Sequence, residues 1–354
     1  MREHRLQHIT EVCRLADWDG VELDWQRHPF HLPADHAYRL RYTLTDLQRA
    51  VRQLTDRIAR ERGRPFYVAV RVGTTMESCR RIGYDLPVWI NERLCDIVTA
   101  GGGAGTDPGI EVEAFVDLLK AGSIQFYTGF DGGLWGDHTG LMTDREWYRA
   151  WVRGVANGYW DRGCSGMYVF NWHANEKTRR DLLTTIGRPE TLKRTNKVYN
   201  TLYRHIAPKG SEWAGADLND RIYGETPVSL YRTLTGNGPN FHLHVHDDVA
   251  SESRSGSIQR LELHLELEHL SKADKVEVLL DGRALQGPQV RNVKGENPDD
   301  PADVDENSWL VWSLTPERIE RGPHLVQVRL LERDPRIRPS LVIRHVEVHV
   351  DYKA

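Results

Sequence analysis

At 354 residues the chain is long enough for two domains, each with a sizeable core. Its formal charge of −4, with 39% hydrophobic and 28% charged residues, is ordinary soluble composition and gives no electrostatic footprint for nucleic acid or an anionic membrane surface. No apolar run approaches the roughly 18 residues of a spanning helix, and the charged, amphipathic opening "MREHRLQHITEVCRLA" is not a signal peptide.

The opening segment, residues 2 to about 17, sets Leu6, Ile9, Val12, Cys13 and Ala16 on one helical stripe. Asp19-Gly20 turns into a strand, "GVELDW". A polar loop with Pro29 and Pro33 leads to a helix from about Thr45, with Leu47, Val51, Leu54 and Ile58 as its stripe and Gly63 as its stop. "FYVAVRV" (66–72) is a second strand, and a third at about 94–100 ends in glycines. "EVEAFVDLLKAG" is a helix, "SIQFYTGFD" (123–131) a fourth strand, "DREWYRAWVRGVANGYWDRG" a helix and "GMYVFNWH" (166–173) a fifth strand. "RPETLKRTNKVYNTLYRHI" is expected to be the helix that closes the series.

Apolar strands alternating with helices indicate a parallel sheet with βαβ crossovers. Polar residues gather at the C-terminal end of each strand, where such folds build their sites. Only five strand–helix units precede residue 207, whereas a closed (β/α)8 barrel needs eight. The expected fold is therefore α/β, the C-terminal part of a TIM barrel (about strands 4–8), over residues 1–207. A linker at 208–224 and an antiparallel β-sandwich at 225–354 follow, the latter read from dense period-two runs such as "QRLELHLELEH". No GxGxxG follows the first strand, and "GGGAG" has no following Lys-Ser/Thr, so no nucleotide cofactor is expected. The four cysteines are scattered, without metal-type spacing, and read as buried thiols.

Glu22 and Asp24 share one strand face, because side chains alternate along a strand. With Val21 and Leu23 toward the helices, both acids point into the barrel lumen, and Arg71 on the neighbouring strand is a plausible partner. Ionised carboxylates in such a place need a partner or a chemical role. Asp24 is the candidate nucleophile or base, with Asp131 or Glu22 as the acid, since glycoside hydrolysis uses two carboxylic acids. The competing reading is an Asp/Glu–Arg network that only fills the lumen.

Arg27 and His28, on the loop above, are candidates to hold substrate hydroxyls or carboxylates. Tyr127, Asn171 and His173 at strand ends are further candidates, and Trp25, Trp135 and Trp172 candidate stacking platforms, in a chain with 11 Trp against 7 Phe. In "HLHVH", His242, His244 and His246 share one face. Their spacing is wide for one tetrahedral ion, so a solvated polar face is expected and no metal.

"DGVELDWQRHP", followed by a long helix, "VRV", "YTGFDGG" and "KVYNTLY", resembles bacterial glycosyl-hydrolase-like TIM barrels, namely glycosyl-hydrolase-like family 10 and related groups, across about residues 1–207. The resemblance implies that the first strand here is barrel strand four, that strands one to three are missing, and that Asp24 sits at the position suspected of catalysis beside Arg27. It supports action on carbohydrate better than any particular linkage. An open edge at the first strand implies self-association or little hydrolase activity in the chain as written. The residues leave the location open, an extracytoplasmic one being what the resemblance suggests for a full-length relative. A non-catalytic carbohydrate-binding protein, or a lyase or isomerase of acidic sugars using Arg71 and His28, are the alternatives.

Overall fold

The computed structural model describes residues 2–27, 31–101, 106–131, 145–201, 225–292 and 307–353. Among them no helix is long and apolar enough to cross a membrane. The chain divides into two units. One gathers the described residues of 1–139 and 159–180, and the other those of 140–158, 181–205 and 223–354.

The first unit is built on a parallel sheet of five strands in sequence order: β1 (Gly20–Asp24), β2 (Tyr67–Val72), β3 (Ile97–Gly101), β4 (Gln125–Asp131) and β5 (Gly166–Phe170). Each strand pairs in register with the next, Asp24 against Arg71, Arg71 against Thr99, Thr99 against Tyr127, and Asp131 against Phe170.

Alternation decides which face each residue takes. Val68, Val70 and Val72 are fully buried. On β1, Val21 packs on Cys13, Leu54, Ile58 and Phe66, a cluster joining the Arg2–Leu15 and Tyr42–Arg62 helices. On β4, Phe126 stacks on Phe115 of the Val112–Lys120 helix at 5.0 Å. Burying each such side chain is worth roughly 1.5–3 kcal/mol, so a one-residue slip would expose the whole apolar set. The opposite, inner face is left to Glu22, Asp24, Arg71, Tyr127 and Tyr168. Gly63 ends the long helix in a left-handed conformation, as its position predicts.

Of the closing helix expected at 188–206, residues 202–206 lie outside the described residues, and over 188–201 a helix is not what forms. Pro189–Leu192 makes a single turn, and Lys197–Asn200 is a strand, β6, paired antiparallel in the second unit. A further helix, Lys177–Ile186, precedes them. Val198 and Tyr199 favour a strand, and burying both, Tyr199 in the apolar core of that unit, outweighs the helical spacing of the surrounding residues.

The second unit holds the antiparallel strands β7 (Val228–Leu230), β8 (Asn240–Val245), β9 (Ile258–Glu268), β10 (Lys275–Leu280), β11 (Arg283–Ala284), β12 (Gln289–Asn292), β13 (Asn307–Ser313), β14 (Gly322–Glu332) and β15 (Leu341–Tyr352). One sheet runs β11-β10-β14-β8, and the other β12-β13-β9-β15-β6, with β7 also on β15. Alternate residues of both sheets, among them Leu243, Val245, Leu263, Leu265, Val328 and Val348, form one apolar core. A register shift on β15 between Ile343 and His345 moves the core-facing set from odd to even numbers. His242 and His244 lie on the exposed face of β8, and the His244 and His246 rings stack at 4.0 Å. All four cysteines are buried thiols.

Candidate functional site

The C-terminal ends of β1, β2 and β5 converge on one arrangement. Asp24 ends β1 as a turn residue: its Oδ1 accepts the backbone N–H groups of Gln26 at 3.1 Å and Arg27 at 3.0 Å. The turn therefore fixes the carboxylate and the loop that carries Arg27 together.

Arg71, adjacent in register, donates Nε to Asp24 Oδ1 at 3.0 Å and Nη2 to Oδ2 at 2.5 Å, a two-pronged ion pair. The guanidinium is fully buried while the Asp24 side chain keeps 31% of its exposure. Phe170 covers the cation at 4.1 Å from ring centroid to Cζ, and the Tyr168 ring lies 5.7 Å away. Arg27 is 5.6 Å from the same Phe170 ring.

Glu22 lies two residues before Asp24 on the same face. Its carboxylate accepts the Tyr168 hydroxyl at 2.9 Å. Glu22 stays solvent-exposed, and partial desolvation by the surrounding strands raises its pKa above the usual carboxylate value. Tyr168 and Arg71 oppose the rise and Asp24 adds to it. Burial, with the charge of Glu22 beside it, raises the Tyr168 phenol in turn.

The structure brings Glu22, Asp24, Arg27 and Arg71 together and adds Tyr168 and Phe170. Those two aromatic residues escaped the sequence reading; their signal was alternation in "GMYVF", which puts both on the face that Arg71 shares. Asp131 is 3% exposed at the end of β4, its N–H 3.1 Å from Thr106 Oγ1, beside Phe170 in register. Tyr127 is half-buried on the inner face, and a Cβ on Gly166 would meet its ring at 3.0 Å, so glycine lets that ring lie across β5. Asn171 and His173 are exposed just past β5, at φ of 48° and 47°. The left-handed backbone at both positions directs them away from a continuing strand.

Two expected stacking platforms are corrected. Trp25 is 8% exposed and packs with Tyr84 and Trp89, and His31 Nε2 lies 3.1 Å from the Trp25 carbonyl. Trp172 is 5% exposed, donates Nε1 to the Arg179 carbonyl at 2.8 Å and meets Phe130 edge-on. Neither ring offers a face to a ligand, because the adjacent helices supply enough apolar surface to bury it. His28 and Trp135 lie outside the described residues.

No family model and no curated protein sequence matches this chain. Solved structures similar to it include the chitinase ChiW from Paenibacillus sp. str. FPU-7, at 12% identity and a TM-score of 0.35, over 97% of this chain and 33% of that one. A family GH18 chitinase from Chromobacterium violaceum is 10% identical with a TM-score of 0.34, over 98% of this chain and 70% of that one. The β-porphyranase BpGH86A from Bacteroides plebeius is 8% identical with a TM-score of 0.25, over 91% and 77%. The chain thus spans a third of the length of the first of these. Likenesses this low carry no argument about its chemistry.

Proposed function

We propose that the parallel-sheet unit takes a saccharide at its strand ends and acts on it by carboxylate acid–base chemistry. One observation carries the reading: Glu22 and Asp24 share a face in unlike surroundings, Asp24 held by Arg71 and two backbone N–H groups, and Glu22 solvent-exposed, bonded to the Tyr168 hydroxyl and raised in pKa by partial desolvation. The resemblance of residues 19–29 to glycosyl-hydrolase-like barrels points the same way.

In this scheme Glu22 gives its proton to the glycosidic oxygen as the C–O bond breaks. Asp24, paired with Arg71, faces the positive charge that develops at the anomeric carbon; a water then adds to that carbon and gives its proton to the Glu22 carboxylate, which restores the acid. Arg27, Asn171 and His173 hold substrate hydroxyls. The test is hydrolysis of a panel of neutral and uronate oligosaccharides by the parent and by Glu22→Gln, with binding followed by calorimetry. Turnover that Glu22→Gln removes while binding persists is the expected result.

A second reading, binding without turnover, is favoured by the partners Asp24 already has. Two backbone N–H groups and two guanidinium N–H groups occupy it. Binding by both proteins with no turnover by either would establish that reading, and absence of binding would remove both.

A further inference from the structure

The six-stranded sheet of the second unit has a face turned away from its apolar core, and that face is not a solvated surface. β9 contributes Arg260, Glu262, His264 and Glu266 there, and β15 sets Asp351, His349, Glu347 and His345 opposite them in register. Acid thus faces base at every step. Glu262, His264, Glu266, His345 and Glu347 are all under 9% exposed. The His264 and His349 rings stack at 3.8 Å.

Beside this ladder is a cavity of about 350 Å³, with Trp147, Arg153, Trp309, Glu347, His349 and Asp351 in its wall. Glu347 is completely buried. Its Oε2 accepts Trp147 Nε1 at 3.0 Å and lies 2.8 Å from His349 Nε2, while Oε1 has no hydrogen-bond partner among the described residues. The buried Nε of Arg153 likewise has none. An orphaned buried anion acceptor costs free energy and signals a missing donor.

We propose that this cavity is a saccharide-binding site, independent of the strand-end site of the first unit. The chemistry of the wall selects the ligand class. A cation would meet Arg153, Arg260 and Arg291, and an anion would meet Glu347 and Asp351. A hydroxyl group both donates and accepts, so a sugar ring can meet the carboxylates and the guanidinium groups of this wall alike. Trp309 is only half-buried, so its ring can take the apolar C–H face of a sugar ring. The volume is at the small end of ligand pockets, ~300–1,000 Å³, which suits one or two sugar rings. His264, its pKa pushed down to about 4 by burial, adds a neutral imidazole to the wall.

The experiment titrates the whole chain with neutral hexose and N-acetylhexosamine mono- and disaccharides by calorimetry, with choline and inorganic phosphate as charged controls. A neutral saccharide should bind, and Trp309→Ala and Glu347→Gln should each weaken it about tenfold or more. Thermal melting checks that each variant is folded; Trp309→Ala, at a partly exposed position, carries the test where Glu347→Gln does not fold. Hydrolysis by Trp309→Ala is scored separately, so failure of this site and failure of the acid–base reading give different results. Unchanged affinity in a folded Trp309→Ala protein, binding of choline or phosphate in place of sugar, or no saccharide binding by the parent would each overturn the proposal.

Discussion

The Tyr168 hydroxyl, on the last strand of the parallel sheet, donates to the carboxylate of Glu22 on the first, 2.9 Å away and 146 residues apart in sequence. Five strands in order curl far enough for the inner-face side chains of the two edge strands to touch. That contact places a carboxyl of raised pKa beside the Asp24–Arg71 ion pair.

Removing the contact has a predictable sign. The Tyr168 hydrogen bond favours the Glu22 anion and so holds its pKa below what desolvation alone would give. Tyr168→Phe should therefore raise the Glu22 pKa further, and the alkaline limb of any activity profile, set by the proton on Glu22, should move to higher pH with it. A carboxyl-carbon NMR titration of parent and variant measures the shift; a fall in the Glu22 pKa would contradict the assignment.

The ion pair should be asymmetric. Asp24→Asn takes the ion-paired carboxylate away from a fully buried guanidinium, whereas removal of Arg71 leaves a carboxylate that is partly solvated and still held by two backbone N–H groups. We expect Asp24→Asn to cost about 2–4 kcal/mol of stability, since unpairing a buried charge is expensive. A double-mutant cycle with Arg71→Met, read by urea denaturation, should give a coupling free energy well above that of an exposed pair.

The buried imidazole of the second unit predicts a pH dependence. His264 has a folded pKa of about 4, lowered chiefly by burial and then by His349, against 6.5 for an exposed histidine. Between those values the unfolded chain binds more protons, so stability should rise with pH from about 4 to 6.5 and this contribution should level off above. The full effect is on the order of 3 kcal/mol. Denaturation midpoints at pH 4.5, 5.5 and 7, compared with those of His264→Gln, would show it; equal pH slopes in the two proteins would sink the idea.

Glu22 works in the opposite direction. With a folded pKa above the unfolded one, it contributes stability that is present below about 4.5 and lost as pH rises through the folded value. Glu22→Gln should accordingly make the change in stability from pH 4 to pH 7 more positive than in the parent, because it removes a contribution that is lost as pH rises. Melting temperatures of both proteins at the two values decide it.

Gly154 tests close packing within the second unit. A Cβ there would lie 2.1 Å from the Val198 carbonyl oxygen, so the Arg145–Asp161 helix can lie against β6 only because the residue is glycine. Gly154→Ala gains helix propensity yet should cost about 2 kcal/mol or more, because backbone cannot yield as a side chain does. A melting temperature at or above that of the parent would refute this.

Much of this was legible from local pattern. Period-two alternation alone puts Val21 toward the helices and Glu22 with Asp24 on the inner face, because a strand has two faces and apolar residues must take the covered one. The same periodicity marks the antiparallel runs after residue 225. The pairing of Asp24 with Arg71 was also readable, since both acids and Arg71 end adjacent strands. What local pattern could not decide was anything that depends on which distant surface arrives. Trp25 reads as a platform until Tyr84 and Trp89 bury it. "KVYN" reads as helix until β15 offers it a ladder. "ELHLELE" and "HVEVHVD" read as alternating strands, and only the fold shows their opposed acids and imidazoles buried against one another. The sequence by itself determined which residues share a face. Only the tertiary structure decided what covers that face, because burial and charge pairing are set by neighbours that lie far apart along the chain.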